Sequence, residues 1–154
     1  MLIVRSDLIP KKDGMRVGIA VDGSPQSKAV VRYILNNLDF FGKDSKFYLI
    51  HVTSDISLTL LAGVSTGAPQ PLKGTDLEAI KEETYREATE DIVPMLDKAG
   101  IEYEKVCVEG TPGDVLAKVA KKKKLNLMVK SAVLGSTAMR LLAKGEVPVM
   151  LIRK

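Results

Sequence analysis

Two residues, Gly135 and Ser136, begin a predicted helix shortly after a predicted apolar strand, Leu125–Val129. Open α/β sheets bind phosphate at such places, because the free N–H groups and the dipole of a helix amino end attract an anion. The turn of residues 130–133 has four residues, and none of them is glycine. The sequence therefore predicts a helix-end anion site without the glycine-rich loop that closes around a triphosphate.

A second feature with chemical potential is Asp22, which follows a predicted strand, Arg16–Val21. A carboxylate at a strand end can hold a ribose or a metal ion. It can equally support the Asp-Gly-Ser turn that leads into the next helix. Ser24 is typical of a helix N-cap and Pro25 of a first helical position, so the turn alone also accounts for the aspartate. Both interpretations stay open.

The remaining reactive side chains predict no catalytic residue and no metal site. His51 lies inside a predicted strand, and the chain has no second histidine with which to form a metal-binding pair. Cys107 lies between two valines, which favours burial over reactivity. The serines at turns and helix starts lack the Gly-x-Ser-x-Gly setting of a hydrolase, and these are Ser24, Ser27, Ser131 and Ser136.

The composition excludes several classes of protein. The chain has 154 residues, 45% of them hydrophobic, with one cysteine and a net charge of +4. No apolar run approaches the roughly 20 residues that cross a bilayer, and the first ten residues do not resemble a signal peptide. We expect a cytoplasmic protein that binds no membrane. The lysines of residues 121–124 complement a helix carboxyl end and lack interleaved aromatics, so no nucleic-acid partner is predicted.

The elements that position these residues alternate along the chain. This alternation predicts a single α/β domain with a parallel sheet and helices on both faces. Residues 1–14 form an extension that either adds an edge strand or stays irregular, and residues 54–74 form a long connection that is the expected contact surface. Strands are predicted over residues 16–21, 46–53, 103–109, 125–129 and 147–152, and helices over residues 25–38, 75–99, 112–124 and 136–143.

Pro94 is expected to kink the last turn of the long helix over residues 75–99. The first predicted helix is expected to bury an apolar stripe at helical spacing, formed by Val30, Ile34, Leu35 and Leu38.

Four segments resemble the universal stress protein family: VGIAVDGSPQSKAVVRYIL, LIHV, EGTPGDVLAKVAKKKKLNLMV and LGSTAMRLLAKGEVPVMLI. The resemblance covers residues 15–154. It implies a Rossmann-like, open five-stranded parallel sheet of the adenine nucleotide alpha hydrolase-like kind. Many members of the family are dimers that bind ATP through a G-x2-G-x9-G-[S/T] motif after the fourth strand, and others lack this motif.

The resemblance assigns part of an adenine site to the strand ends. Asp22 corresponds to the acidic residue near the base and ribose. Ala20 and Val52 fall on positions that line the adenine slot. Val129 falls where family members place an apolar residue beside the base.

The phosphate part of the motif is incomplete. Gly135 and Ser136 match its last Gly-[S/T], and the Thr137 hydroxyl is a further donor. Lys130 falls where the first glycine belongs, and only four residues separate it from Gly135 where the motif asks for twelve. One exposed helix-end contact contributes about 0.3–1 kcal/mol. Because micromolar affinity needs about 8 kcal/mol, tight ATP binding is not expected. Lys130 either completes the pocket or fills it.

The sequence thus predicts a non-enzymatic stress-response protein that acts through homodimerisation and an unidentified protein partner, with a degenerate nucleotide pocket and no required cofactor. The alternative is a switch or slow ATPase that binds ATP or AMP weakly. An ATP-consuming synthetase of the pyrophosphatase-loop type is not supported, because DGSPQS lacks a Ser-Gly-Gly loop. The dimer is predicted to form through the last strand, and the competing expectation is a monomer whose edge is covered by residues 1–9. The predicted interface residues are Val147, Val149, Met150, Leu151 and Ile152.

Overall fold

The computed structural model of the protein describes residues 2–4, 14–42, 44–54, 74–131, 140–141, 143–145 and 147–153, with the backbone alone described at residues 2–4 and 74–76. The strands are β1 Leu2–Val4, β2 Arg16–Val21, β3 Lys46–Thr53, β4 Tyr103–Glu109, β5 Leu127–Ser131 and β6 Val149–Ile152. The helices are α1 Pro25–Asn36, α2 Leu38–Phe41, α3 Gly74–Thr89, α4 Ile92–Lys98 and α5 Pro112–Lys122.

The strands form one sheet in the order β1-β6-β5-β2-β3-β4. The five strands from β2 to β6 are parallel, and β1 is antiparallel to β6. This confirms the predicted α/β fold with its five-stranded parallel sheet. The central strands are apolar almost throughout because both of their faces are covered.

Two apolar layers cover the two faces of the sheet. One layer includes side chains of α1 and α4, among them the fully buried Ile34 and Leu96. The other layer is built on α5, whose Leu116 and Ala120 pack together with Leu141. Helices on both faces follow from right-handed crossovers between parallel strands.

The helix that was predicted to kink at Pro94 is interrupted earlier, between α3 and α4. Pro94 itself lies in the first turn of α4, where a missing N–H leaves no helical hydrogen bond unmade. The predicted kink at Pro94 is therefore wrong in position. The first helix also ends sooner than predicted, at Asn36, and the shorter α2 follows it.

The N-terminal residues add a sixth strand at the edge of the sheet. Leu2 pairs with Leu151 and Val4 with Val149, so β1 covers the outer edge of β6. This edge is the one through which the dimer was predicted. The dimer stays a prediction, and a strand-to-strand dimer at this edge now requires that β1 leave it. Its predicted interface residues lie within or just before β6 and are buried, these being Val147, Val149, Met150, Leu151 and Ile152.

Two further predictions fall mainly on positions that the structure does not describe. The connection proposed as a contact surface lies outside the described residues except at its two ends, Ser54 and Gly74. Of the last predicted helix, residues 140, 141 and 143 are described, and they are helical. Within the described part of the chain, no helix is long and apolar enough to cross a membrane.

Candidate functional site

A cleft opens where β2 and β5 separate. Pairing of these two strands stops at Ile19 and Val129, whereas β2 stays paired with β3 as far as Val21. On its other side β5 stays paired with β6 as far as Ser131. The order of the strands reverses here, and ligands of open α/β sheets bind at such a switch point.

The cleft contains a cavity of about 240 Å³ with one apolar wall and several polar groups. The apolar wall offers a surface for a flat or aliphatic ligand body, and the polar groups offer one carboxylate and one ammonium. The apolar lining residues are Ala20, Val21, Ile50, Val52, Pro112 and Leu116. The polar lining residues are Asp22, Ser27, Lys130 and Ser131.

The carboxylate of Asp22 is held by the turn that it begins. Its Oδ1 atom accepts hydrogen bonds from the Ser24 N–H at 2.9 Å and from the Ser27 hydroxyl at 2.7 Å. The Ser27 hydroxyl also accepts a bond from the backbone N–H of Asp22. Because Ser27 is 2% exposed, these bonds tie the turn to the protein interior. Ser24 caps α1, as predicted, by accepting from the Ser27 N–H.

These hydrogen bonds control the ionisation of Asp22. Burial raises the pKa of the carboxyl, but the bonds from Ser24 and Ser27 lower it by more. The pKa of Asp22 therefore lies below its ordinary value of 3.8. The group is a carboxylate at neutral pH.

Gly23 makes the Asp22 turn possible. Its φ is +82°, a backbone conformation that side chains rarely adopt, and a Cβ at this position would lie 3.1 Å from the Cα of Ala88. The neighbouring atom belongs to the backbone of α3, so it cannot rotate away. The turn is therefore packed directly against a helix of the core.

Lys130 lies on the opposite side of the cavity, at the end of β5. It is 8% exposed, and its ammonium donates one hydrogen bond, to the carbonyl oxygen of Ser131 at 3.1 Å. Burial lowers the pKa of Lys130 below its ordinary value of 10.5, and the charge of Asp22 raises it by less. Lys130 forms no ion pair with any carboxylate among the described residues.

The amino end of α5 also borders the cavity through Pro112 and Leu116. Its first-turn carboxylate, Asp114, is paired with Arg140 at 3.0 Å and with Lys144 at 3.5 Å. This carboxylate is therefore already compensated by two cations. Among the described residues that line the cavity, Lys130 is the one cation.

The structure brings four of the predicted site residues together and places one elsewhere. Ala20, Asp22, Val52 and Lys130 line the cavity. Val129 does not line it, because successive side chains of a strand point to opposite faces and Val129 is fully buried in the layer formed with α1. The Val129 side chain therefore does not face this cavity, and its contact with a base stays a prediction. Gly135, Ser136 and Thr137 lie outside the described residues.

Sequence reasoning missed Ile50, Leu116 and Ser27 as lining residues. The first two are apolar residues whose patterns indicate only burial, and the choice of cavity wall depends on which strands and helices are adjacent. Ser27 carried a usable signal. It is the third residue after a predicted N-cap serine, the position whose N–H receives the cap hydrogen bond.

The other reactive side chains stay outside the cleft. The Nδ1 atom of His51 lies 3.0 Å from the carbonyl oxygen of Val21, which agrees with the predicted structural role. Cys107 is half-buried, and burial raises the pKa of its thiol. No group of three or more acidic, histidine or cysteine residues that could hold a metal ion occurs in the described part of the chain.

Comparison with known proteins gives one consistent result. Residues 15–153 match the model of the universal stress protein family. A universal stress protein of Methanocaldococcus jannaschii is 26% identical over 148 residues, which cover 90% of this chain and 82% of that protein.

Two solved structures share the fold. A universal stress protein family protein from Arabidopsis thaliana, with AMP bound, superposes with a TM-score of 0.64 at 19% identity over 91% of this chain and 92% of that one. The universal stress protein from Archaeoglobus fulgidus in complex with dAMP superposes with a TM-score of 0.57 at 23% identity over 92% and 99% of the two chains.

Proposed function

The chain belongs to the universal stress protein family, and we propose that it is a non-enzymatic member whose cleft takes a nucleoside-sized ligand without holding a triphosphate. The observation that carries this proposal is the form of the cleft. It is an open cavity, and a buried lysine stands at the end of β5, at the position that the family resemblance gives to the first glycine of the phosphate loop.

The size of the cavity supports a small ligand. Pockets that bury drug-sized molecules have volumes of about 300–1,000 Å³, and this cavity has about 240 Å³. A nucleoside is within this scale if part of it stays exposed, whereas a triphosphate would have to extend beyond the cavity. The apolar wall of Ala20, Val52 and Leu116 suits the faces of a base, and Asp22 suits a ribose hydroxyl.

The relatives suggest the chemical class of the ligand. The Arabidopsis thaliana protein has AMP bound and the Archaeoglobus fulgidus protein has dAMP bound. We propose an adenine nucleoside or its monophosphate as the ligand of this chain, because it shares their fold and its cleft lies at a switch point, where ligands of open α/β sheets bind.

The absence of an assembled catalytic group supports a non-enzymatic role. The Asp22 carboxylate is engaged by Ser24 and Ser27, and the ring of His51 faces a backbone carbonyl. Among the described residues, the one hydroxyl–carboxylate pair of the cleft, Ser27 with Asp22, is tied into the turn by the Asp22 N–H and is 2% exposed at Ser27. It is therefore not presented to a ligand as a nucleophile and its general base.

Calorimetric titration with adenosine, AMP and ATP–Mg²⁺ tests this function. We expect adenosine and AMP to bind, and ATP to bind no more tightly than AMP. Failure of both adenosine and AMP to bind would overturn the proposal. ATP affinity tighter than micromolar would show that the chain holds a triphosphate after all.

A second candidate function is a nucleotide-responsive switch or slow ATPase. The observation in its favour is that Lys130 lines an open cavity, and two of its N–H donors have no partner among the described residues. Release of inorganic phosphate from ATP, lost in the Lys130→Met variant, would support it. A release rate equal to that of buffer alone would remove the ATPase form of this candidate.

We further propose that the protein acts through self-association at β6 and contacts with a protein partner. The outer edge of β6 is apolar and pairs with the three-residue β1, and a strand of that length contributes few hydrogen bonds. Sedimentation of the full chain and of a chain that begins at Met15 tests this interface. We expect the shorter chain to dimerise more strongly. If the full chain and the shorter chain both sediment as monomers up to high concentration, the proposed interface is contradicted.

A further inference from the structure

Among the residues that the structure describes, Lys130 is unusual because it is a buried charged residue that forms no ion pair. The other buried polar residues are uncharged, and the Lys130 ammonium uses one of its three N–H donors on the carbonyl oxygen of Ser131. Its other two donors have no hydrogen-bond partner among the described residues. An ammonium in this state is expensive to bury, because water solvates it far better than a cavity wall does.

The fold gains little from this charge. The aliphatic part of Lys130 covers apolar surface, but a methionine of similar length would do the same without the desolvation cost. The carboxylate that faces Lys130, Asp22, is already bonded to Ser24 and Ser27. The position is therefore better explained by a ligand than by packing.

We propose that the Lys130 ammonium is the anion contact of the cleft, and that it makes the site selective for nucleosides with one phosphate over uncharged nucleosides and over triphosphates. This inference rests on the proposed function, whose nucleoside-sized ligand it makes more specific. A glycine loop would bind phosphate through several backbone N–H groups. In this chain the lysine ammonium, a single point charge, replaces them.

The charges around the cavity account for the preference for one phosphate. Lys130 compensates one anionic group, and the first-turn carboxylate of α5, Asp114, is held by Arg140 and Lys144. Further phosphates of a triphosphate would meet no second cation among the described residues that line the cavity, and those near Asp22 would be repelled. The affinity gained from the first phosphate is therefore not expected to grow with the second and third.

Asp22 and Lys130 also favour one orientation of a bound nucleotide. They line the same cavity with opposite charges, and they interact electrostatically without direct contact. A nucleoside monophosphate has hydroxyl donors at its ribose and negative charge at its phosphate. It therefore fits with the ribose toward Asp22 and the phosphate toward Lys130, and the reverse orientation is disfavoured at both ends.

Titration of the wild-type protein and three lysine variants with adenosine and AMP tests this inference. The variants are Lys130→Met, Lys130→Arg and Lys46→Met, the last being a matched loss of one charge at an exposed residue of β3, at the opposite end of the sheet. We expect the wild type to bind AMP about ten- to a hundredfold more tightly than adenosine, the range of a charge-assisted hydrogen bond. In Lys130→Met, AMP affinity should fall to that of adenosine, while adenosine affinity stays within about twofold.

The remaining variants separate an anion contact from a structural role. Lys46→Met should behave as the wild type, and Lys130→Arg should keep part of the preference for AMP. Loss of adenosine binding together with AMP binding in Lys130→Met would mean that the lysine only shapes the cavity, and would overturn the inference.

The two proposals fail in different ways. Equal affinity of the wild type for adenosine and AMP would overturn the role of Lys130 and leave the nucleoside-sized ligand standing. Binding of neither compound would overturn both. ATP that binds more tightly than AMP would contradict the selectivity for one phosphate.

The pH dependence gives a second, independent readout. AMP affinity should fall as the pH rises toward 10.5, because the pKa of Lys130 lies below this ordinary value and the ammonium loses its proton, and adenosine affinity should not fall. The other charged group among the described residues that line the cavity is Asp22, from the β2–α1 turn, and its lowered pKa keeps it ionised over this range. The Lys130→Met variant should show no such fall. A wild-type AMP affinity that stays flat up to pH 10.5 would contradict the contact.

Discussion

The ends of β2 and β5 carry opposite charges across one cavity, and the protein treats the two charges differently. The carboxylate of Asp22 is exposed and accepts bonds from the backbone and side chain of its own turn. The ammonium of Lys130 is buried and has one carbonyl as its partner. The hydrogen bonds of Asp22 stabilise its own turn. The buried Lys130 has N–H donors without a partner among the described residues, and we attribute these donors to a ligand.

The difference follows from the local chain. At the end of β2 the chain turns sharply into α1 and supplies N–H and hydroxyl donors within five residues of Asp22. At the end of β5 the strand continues beside β6, and its backbone groups are used in the sheet. Among the described residues, the Lys130 ammonium therefore has one hydrogen-bond partner, the carbonyl oxygen of Ser131.

The largest effect should come from Gly23→Ala, which tests whether the β2 end is built for the fold. A methyl group at φ +82°, 3.1 Å from the Cα of Ala88, brings both backbone strain and a collision with α3. We expect the free energy of unfolding in urea to fall by about 2–3 kcal/mol. Gly100→Ala is the matched control, because Gly100 has φ +70° but no atom near its Cβ position. It should lose only about 1 kcal/mol. Equal losses would show that the contact with α3 does not matter.

The second-largest effect on the free energy of unfolding is expected from Ser27→Ala. This change removes the hydroxyl that bonds both the N–H and the carboxylate of Asp22 and leaves a buried N–H without its partner. We expect a loss of about 1–2 kcal/mol in the free energy of unfolding. Ser131→Ala, at the β5 end of the same cavity, should change it by less than about 0.5 kcal/mol. A loss at Ser131 as large as that at Ser27 would remove the distinction between the two strand ends.

An effect of opposite sign is expected at Lys130. Replacement by methionine keeps most of the buried volume and removes the desolvated charge, so the free energy of unfolding should rise by about 1 kcal/mol. The exposed Lys46→Met variant should leave it nearly unchanged. The same Lys130→Met protein is expected to lose its preference for AMP, so stability and binding should move in opposite directions. A clear loss of stability would mean that the ammonium supports the fold.

The smallest effect is the pH dependence of stability. Because the pKa of Asp22 is lowered on folding, its charge stabilises the protein above its ordinary value of 3.8, and this contribution is lost as the pH falls through the lower folded value. The stability difference between wild type and Asp22→Asn should therefore shrink below about pH 4. A difference that is constant down to pH 2 would contradict the assignment.

Lys130 should show the reverse dependence. Its pKa is lowered from 10.5, so the unfolded chain binds more protons than the native one at alkaline pH. The advantage of Lys130→Met over the wild type should therefore shrink as the pH rises toward 10.5. An advantage that grows with pH would contradict the buried, uncompensated state of the lysine.

Most of the fold and about half of the candidate site were predictable from the sequence. The alternation of apolar strands with amphipathic helices predicted the parallel sheet. Tyr103–Glu109 was predicted with the bounds that the structure has. Asp22, Ala20, Val52 and Lys130 were predicted at the cleft and lie there.

The end of β5 was predicted less accurately. The strand was predicted to end at Val129, but pairing with β6 extends it to Ser131. Because side chains alternate between faces, this extension directs Val129 into the core and Lys130 into the cavity. The apolar sequence pattern has no means of showing this, since β6 lies some twenty residues further along the chain.

The sequence by itself determined the features that depend on neighbours in the chain. These are the Asp-Gly-Ser-Pro turn and the capped start of α1. Only the tertiary structure decided that Lys130 is buried opposite Asp22 and that β1 covers the edge of β6. The physical reason is that turns and caps are local interactions, whereas burial and charge pairing depend on which distant strands lie side by side.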